Sequence, residues 1–234
     1  MISLDIQVIE VKQETPDVKS IKLGLDGQKF DYRPAQFLYI SLDVEDVGSD
    51  SRPLSIASSP TEDFIMVSTK ISGSDFKQRL DKIKVGDIVT IKGPLGTFIL
   101  KEDAKEIVML GGGIGITPFR DMVKYATDKK LPMKITLIYS NKTPADIVYE
   151  DEWPVFEKEN PNLSVAHTIT GDAAGWNGRR GRIDESMIKE FCSDLQHTPF
   201  YICGPPAMVN GMFELLVKIG VPGPNIKVER FVGY

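Results

Sequence analysis

The sequence predicts two domains in tandem, an antiparallel β-barrel over residues 1–101 followed by an α/β domain with a parallel sheet over 102–234. Three observations predict it. Apolar residues alternate with polar ones through the first hundred positions, the rhythm of half-buried strands. After Leu100 the rhythm changes to short apolar runs separated by stretches with helical spacing, which implies a parallel sheet flanked by helices. Early in that second half, residues 107–126 read as a buried strand (Ile107 to Leu110), a glycine cluster (Gly111, Gly112, Gly113, Gly115) and a helix with apolar residues at Phe119, Met122, Val123 and Ala126.

In the first half, Ile2, Leu4, Ile6 and Val8 share one face of a strand. Ile21, Leu23 and Leu25 share a second. Ile65, Val67 and Ile71 share a third, with Thr69 on the same face, and Ile88 to Ile91 give a fourth. Turn formers separate these runs: Pro16-Asp17, Asp26-Gly27, Arg33-Pro34, Gly48-Ser49-Asp50 and Val85-Gly86-Asp87. Short strands at this spacing suit a barrel. Phe76, Leu80 and Ile83 lie at helical offsets, so one helix interrupts the strands. Gly93-Pro94-Leu95-Gly96 is a turn-rich exit.

In the second half the strands are expected at Ile107–Leu110, Lys134–Tyr139, Leu163–Thr168, Phe200–Cys203 and Ile226–Phe231. Helices are expected at 117–128, about 150–159, 184–192 and 206–219, the last with Met208, Met212, Leu215 and Ile219 in one stripe. Ligands of such sheets bind at the carboxyl ends of the strands. Gly111–Gly115, Ser140-Asn141-Lys142 and Cys203-Gly204-Pro205-Pro206 all fall there.

Composition excludes several classes. Hydrophobic residues at 41% and charged residues at 26% describe an ordinary globular chain, not a disordered one. A net charge of −5 without a long basic run disfavours nucleic acid. No apolar stretch approaches the roughly 20 residues of a membrane span. The first residues alternate like a strand and lack a signal peptide's basic start. Cys192 and Cys203 are the only cysteines, too few for a disulfide framework, and the cytoplasm is the expected location. His167 and His197 stand apart with no carboxylates converging on them, so no metal site is expected. Ser55 lies in no G-x-S-x-G elbow.

Strand, glycine turn and helix N-terminus together present backbone N–H groups to a phosphate. Glycine removes the Cβ that would block close approach. Both possible fingerprints here, Gly111-x-Gly113-x-x-Ile116 and Gly113-x-Gly115-x-x-Pro118, miss the third glycine of the usual dinucleotide motif. In Ser51-Arg52-Pro53-Leu54-Ser55, Arg52 offers a forked cation suited to phosphate or to a surface salt bridge.

Taken together, these stretches resemble the ferredoxin–NADP reductase family over nearly the whole chain. The parts occur in order: Arg52-Pro53-Leu54-Ser55, Gly93-Pro94-Leu95-Gly96, Gly111-Gly112-Gly113-Ile114-Gly115-Ile116-Thr117-Pro118, and Cys203-Gly204-Pro205-Pro206-Ala207-Met208, with Glu229-Arg230-Phe231 near the end. The resemblance implies a barrel carrying FAD and an α/β domain carrying NAD(P)H. It implies Arg52 on the flavin pyrophosphate, Ser55 near flavin N5, and Thr69, Lys70 and Ile71 along the flavin's pyrimidine edge. Leu54 stands where many members stack a tyrosine.

Ser74 would cap a helix and cradle phosphate, with Lys77 as an added cation; the alternatives are a plain cap and a solvated lysine. Cys203 would lie beside the nicotinamide, or act only as a small buried hydrophobe. Glu229 would relay protons, or pair with a surface cation. Phe231 and Tyr234 bracket Gly233, so that the tail could fold over the flavin or fray.

The acidic residue that would select NAD is missing after the second strand, where Ser140 and Lys142 stand. Lys142, or Arg179, Arg180 or Arg182, could meet a 2′-phosphate, which leans toward NADPH without deciding it. The expected activity is hydride transfer from NAD(P)H to bound FAD. Electrons then pass to a one-electron carrier such as ferredoxin or flavodoxin, or to a small molecule, since the chain lacks the thiols for an iron–sulfur cluster. The alternatives are a free-flavin reductase and a non-catalytic flavin- or nucleotide-binding subunit of a larger complex.

Overall fold

Strand pairing follows the two rhythms of the sequence. The structure, a computed structural model, describes residues 1–42 and 51–231. The turn expected at Gly48-Ser49-Asp50 and the terminal Tyr234 lie outside the described residues.

The N-terminal half is one antiparallel sheet of six strands: β1 (Ile2–Thr15), β2 (Val18–Gly24), β3 (Phe37–Ser41), β4 (Arg52–Ser55), β5 (Phe64–Lys70) and β6 (Ile88–Leu95). Their order is β4-β3-β6-β1-β2-β5. The two edges meet through an antiparallel bridge between Ile56 and Val67 and a 2.7 Å bond from the Ala57 N–H to the Met66 carbonyl, so the sheet curls closed. Ile6, Val8, Ile21, Leu23, Leu38, Ile40, Ile65 and Val67 fill its interior. The alternation of β1 is lost outward, where Ile2 is exposed. Helix α1 (Asp75–Asp81) plugs one end with Phe76 and Leu80.

The sequence leaves β3 unassigned. Leu38 and Ile40 face the interior, but the outward positions hold Phe37 and Tyr39, which pack edge to face. Aromatic residues on the outer face hide the two-residue period.

The C-terminal half is a parallel sheet of β7 (Glu106–Gly112), β8 (Lys134–Asn141), β9 (Leu163–Ile169), β10 (Arg179–Arg180), β11 (Phe200–Gly204) and β12 (Ile226–Arg230), in the order β10-β9-β8-β7-β11-β12. Helices α2 (Thr117–Asp128) and α3 (Trp153–Glu159) cover one face, and α4 (Glu185–Phe191) and α5 (Pro206–Lys218) the other. Among the described residues no helix is long and apolar enough to cross a membrane.

The face under α2 and α3 also receives Val18, Ala35, Ala57 and Met66 from the barrel. Strand β5 is therefore buried on both sides, Ile65 and Val67 toward the barrel interior and Met66 toward the α/β half. Each large apolar side chain so buried contributes roughly 1.5–3 kcal/mol.

Candidate functional site

The chain builds the parallel sheet outward from β7 through β8 and β9, then returns to place β11 on the other side of β7. This reversal opens a crevice at the carboxyl ends of β7 and β11, where ligands of such sheets bind. The glycine cluster lies there. A 3-10 turn, Gly113–Ile116, leads directly into α2, which carries Thr117 and Pro118 in its first turn. No side chain caps the start of the turn at Gly112.

Two glycines suit the geometry for different reasons. Gly113 has φ +52°, and a Cβ there would point into open space. At Gly115 a Cβ would stand 2.5 Å from both the Cys203 carbonyl oxygen and the Gly204 Cα. Only glycine lets the turn lie against the end of β11, where Gly204 leads into Pro205.

Sheet register sets a row across this crevice. Gly111 pairs with Cys203, and Cys203 with Glu229. In-register neighbours of a parallel sheet share a face, and at Gly111 the rings of Phe119 and Tyr139 close over that face, 3.3 and 3.5 Å from where a Cβ would stand. Cys203 is fully buried, and burial first, then the charge of Glu229, hold its thiol well above the ordinary range. It is a neutral, compact wall, not a nucleophile. Burial also raises the carboxyl of half-buried Glu229, which borders a 170 Å³ cleft with Phe98 and Thr97. The adjacent Arg230 bonds Asn210 of α5 at 3.1 Å, so Glu229 is not the partner of its neighbour's cation. Phe231 follows, half-buried against the core, with its N–H on the Gly204 carbonyl at 3.0 Å.

On the barrel side, β4 presents Arg52 and Pro53 to solvent, buries Leu54 and leaves Ser55 half-buried opposite Phe37. The Arg52 guanidinium lies 5.6 Å from the Phe76 ring and donates to the Ser51 carbonyl at 3.0 Å, which orients it over the start of α1. Ser74 caps that helix, accepting the Lys77 N–H at 3.4 Å. Burial, then the charge of Lys70, lower the Lys77 ammonium to about 8. Lys70 pairs with Asp17 at 2.5 Å, and Ile71, half-buried, donates its N–H to the Asp17 carbonyl at 2.7 Å.

Thr69, in step with Ile65 and Val67 on β5, is buried, and its hydroxyl has no hydrogen-bond partner among the described residues. Thr136, Asn141 and His167 carry further buried polar atoms of this kind; at the end of β5 such a hydroxyl can take a polar group from outside the chain, as a flavin edge would supply. FAD fits these residues on that ground. The open approach at Gly113, with no side chain capping the turn, fits a nucleotide phosphate.

The structure gathers the candidates in two groups, Arg52, Ser74, Lys77 and Lys70 around α1 and β5, and the glycine turn, Ser140, Cys203 and Glu229 at the ends of the parallel strands. Strand β5, with Thr69 and Lys70, packs against the Gly113–Ile116 turn. Ser140 lies beside Gly112 in register. Lys142 is exposed, its carbonyl fixed by the Gly171 N–H at 2.8 Å. The arginines are less available. Arg179 pairs with Glu190 over the Phe191 ring, and Arg180 donates to the Ala173 and Trp176 carbonyls. Arg182 is exposed.

Sequence reasoning missed a polar layer between the two halves. Arg120 of α2, only 5% exposed, donates to Glu62 and to the Ala57 carbonyl at 2.9 Å and to Glu152 at 2.8 Å. Burial works against its charge, but the bond to Glu62 and the fields of Glu152 and Glu62 outweigh it and raise its pKa. Asp121, fully buried, accepts the Ala35 N–H at 2.6 Å. Burial pushes its carboxyl well above the usual range, against the pull of the Ala35 N–H and Arg120. Sequence reasoning also passes over the roles of Tyr139, Tyr149 and Ser68. The available signal is the adjacent Arg120 and Asp121 inside an otherwise apolar stretch of helix.

Comparison with known proteins gives matches in the same two halves. The oxidoreductase FAD-binding domain family matches residues 5–99, and the oxidoreductase NAD-binding domain family matches residues 109–213. The chain is 28% identical to the reductase component of propane 2-monooxygenase from Mycolicibacterium smegmatis, over 96% of this chain and 66% of that one. It is 32% identical to one component of the Na(+)-translocating NADH-quinone reductase of Haemophilus influenzae, over 64% of this chain and 38% of that one. The chain thus spans two thirds or less of the length of these curated relatives. A solved ferredoxin NADP+ reductase from Neisseria gonorrhoeae, with bound FAD and NADP, superposes with a TM-score of 0.84 at 21% identity, over 97% of this chain and 98% of that one, a likeness of fold.

Proposed function

Since the chain belongs to the ferredoxin reductase-like family of FAD- and NAD-binding oxidoreductases, we propose that it draws electrons from NAD(P)H into FAD and hands them to a separate acceptor, a ferredoxin or flavodoxin. The barrel, residues 1–101, is the FAD domain of this reading, and residues 102–234 are the NAD(P) domain. One observation carries it. The glycine turn at the β7/β11 reversal packs against β5, the strand that bears the orphaned Thr69 hydroxyl. Sites for two cofactors are then neighbours.

Flavin supplies the chemistry that links the partners, taking an electron pair and releasing electrons singly. The chain's residues bind and orient. Arg52, Ser74 and Lys77 hold the pyrophosphate, with Pro53 and Leu54 setting the path of β4. Ser55 offers its hydroxyl at the reacting edge of the ring, while Thr69, Lys70 and Ile71 line the pyrimidine edge. Gly111, Gly112, Gly113, Gly115, Thr117 and Pro118 receive the nucleotide, with Ser140 and Lys142 toward its ribose. Cys203, Gly204 and Pro205 bound the nicotinamide pocket, and Phe231 borders it. Glu229, its carboxyl raised by burial, holds a proton near the ring more readily than an exposed glutamate would. Catalysis comes mainly from holding the two rings together.

These 234 residues hold two cysteines, both buried, fewer than the about four thiolates a cluster needs, so this reading places the acceptor outside them. Relatives named as a reductase component and as part of a larger quinone reductase support that setting. Two free thiols suit the cytoplasm.

The test is the visible spectrum of the purified protein before and after anaerobic NADPH or NADH. A bound flavin band that bleaches is expected. A colourless protein that FAD cannot reconstitute overturns the reading, and flavin that leaves on gel filtration points to free flavin as substrate.

A further inference from the structure

The two sides of the crevice are joined by a run of hydrogen bonds between the chain's own groups. It begins at the glycine turn. Tyr139, fully buried in β8, donates its hydroxyl to the Gly113 carbonyl at 2.9 Å and accepts the Val148 N–H at 3.3 Å. The Val148 carbonyl is held in turn by the Trp153 indole N–H at 2.9 Å.

The next residue, Tyr149, is fully buried and has φ +58°. That conformation is unfavourable for a bulky side chain and persists only where the surroundings impose it. Here the ring packs beside Trp153 and Arg120 and its hydroxyl reaches the barrel wall. The Tyr149 hydroxyl donates to Ser68 Oγ at 2.6 Å, and Ser68 shares a 2.7 Å hydrogen bond with Ser20, its register partner on β2. Burial raises the Tyr149 hydroxyl above the ordinary phenol range, so it stays protonated as a donor. Ser68 and Thr69 are consecutive on β5 and so face opposite sides. The bond thus grips one side of the strand whose other side carries the orphaned hydroxyl.

We propose that Tyr149 is a positioning residue: its hydroxyl on Ser68 registers the flavin-edge strand β5 against the nicotinamide-binding turn. The inference rests on the two-cofactor reading above. Its physical basis is the steepness of transfer with distance, since reacting atoms must approach within about 3–3.5 Å and a small misplacement costs a large factor in rate. Tyr139 fixes the turn to residue 148, and Tyr149 fixes residue 149 to β5. No other step separates the two surfaces.

The test compares the FAD-loaded protein with Tyr149→Phe, Ser68→Ala and the double variant. Bleaching by saturating NADPH or NADH is followed in stopped flow, and NADP+ or NAD+ affinity by titration. About a tenfold loss of bleaching rate is expected in each single variant, with nucleotide affinity unchanged within about twofold and the double variant no slower than the singles. A readout without turnover accompanies it. Oxidised nucleotide should slow amide exchange across residues 64–70 in the parent and not in Tyr149→Phe. Equal bleaching in parent and variants, additive losses, or equal exchange protection overturns the inference alone. A parent that binds flavin yet does not bleach overturns the functional reading and this inference with it. Where Tyr149→Phe does not fold, Ser68→Ala carries the same comparison.

Discussion

Lys77 has a pKa lowered to about 8 by burial and then by the charge of Lys70, although it sits on the first turns of a short surface helix. Below that pH its ammonium is charged and favours a nearby pyrophosphate; above it the charge is lost unless the anion holds the proton. FAD affinity, measured by flavin fluorescence on the apoprotein, should therefore be level below about pH 8. It should weaken by roughly 3- to 10-fold over the next pH unit or two. Lys77→Met should remove that slope, and an unchanged slope would take Lys77 out of the phosphate site. At this scale the sequence is informative about identity and silent about environment. Ser74-x-x-Lys77 displays the cap, but nothing in it tells of the buried ammonium. Cys203 and Glu229, 26 positions apart, give no hint that the sheet pairs them.

Among the elements, the turn between β7 and α2 has the least room. Gly115→Ala would drive a methyl against backbone of Cys203 and Gly204, neither of which is a flexible side-chain tip. Overpacking of this kind costs about 1–3 kcal/mol. Gly113→Ala meets no atom within 4 Å and bears only the positive φ, about 1 kcal/mol. Thermal melting should rank Gly115→Ala below Gly113→Ala by several degrees, and Gly115→Ala should also weaken nucleotide binding; equal melting points would refute the steric account. The strand–glycine–helix order is legible because apolar period and glycine clustering are local. The 3-10 turn that begins at Gly113, where helical spacing alone starts at 117, is not, because glycines leave no periodic trace. Strand β3 escapes for the opposite reason, its outward face being as aromatic as its inward face is aliphatic.

For the whole molecule, the cluster around Arg120 is the largest polar investment between the two halves. One guanidinium binds two carboxylates and a carbonyl drawn from residues 57, 62 and 152. Removing one member leaves a buried charge uncompensated, so Arg120→Met should destabilise by roughly 3–5 kcal/mol. The Arg120→Met, Glu62→Gln double variant should recover part of that loss. Denaturant unfolding checks both, and a loss below about 1 kcal/mol would mean that solvent already reaches the cluster. The order of the two folds is readable from the change of rhythm near Leu100. Their interface is not, because the bonds of Arg120 and Asp121 across it join residues 58 to 86 positions apart, and periodicity reports only neighbours.

The burial of β5 on both faces bears on how such chains can be recombined. A cut in the short connection between β6 and β7 looks like a convenient place to exchange one nucleotide-binding unit for another. That cut would leave Met66, Ala57, Ala35 and Val18 facing water, together with Ser68 and Glu62, which would lose Tyr149 and Arg120 of the other half. The usable seam for grafting is a surface in space, and a successful chimera must carry the outer face of β5 along with whichever nucleotide unit it was built to meet.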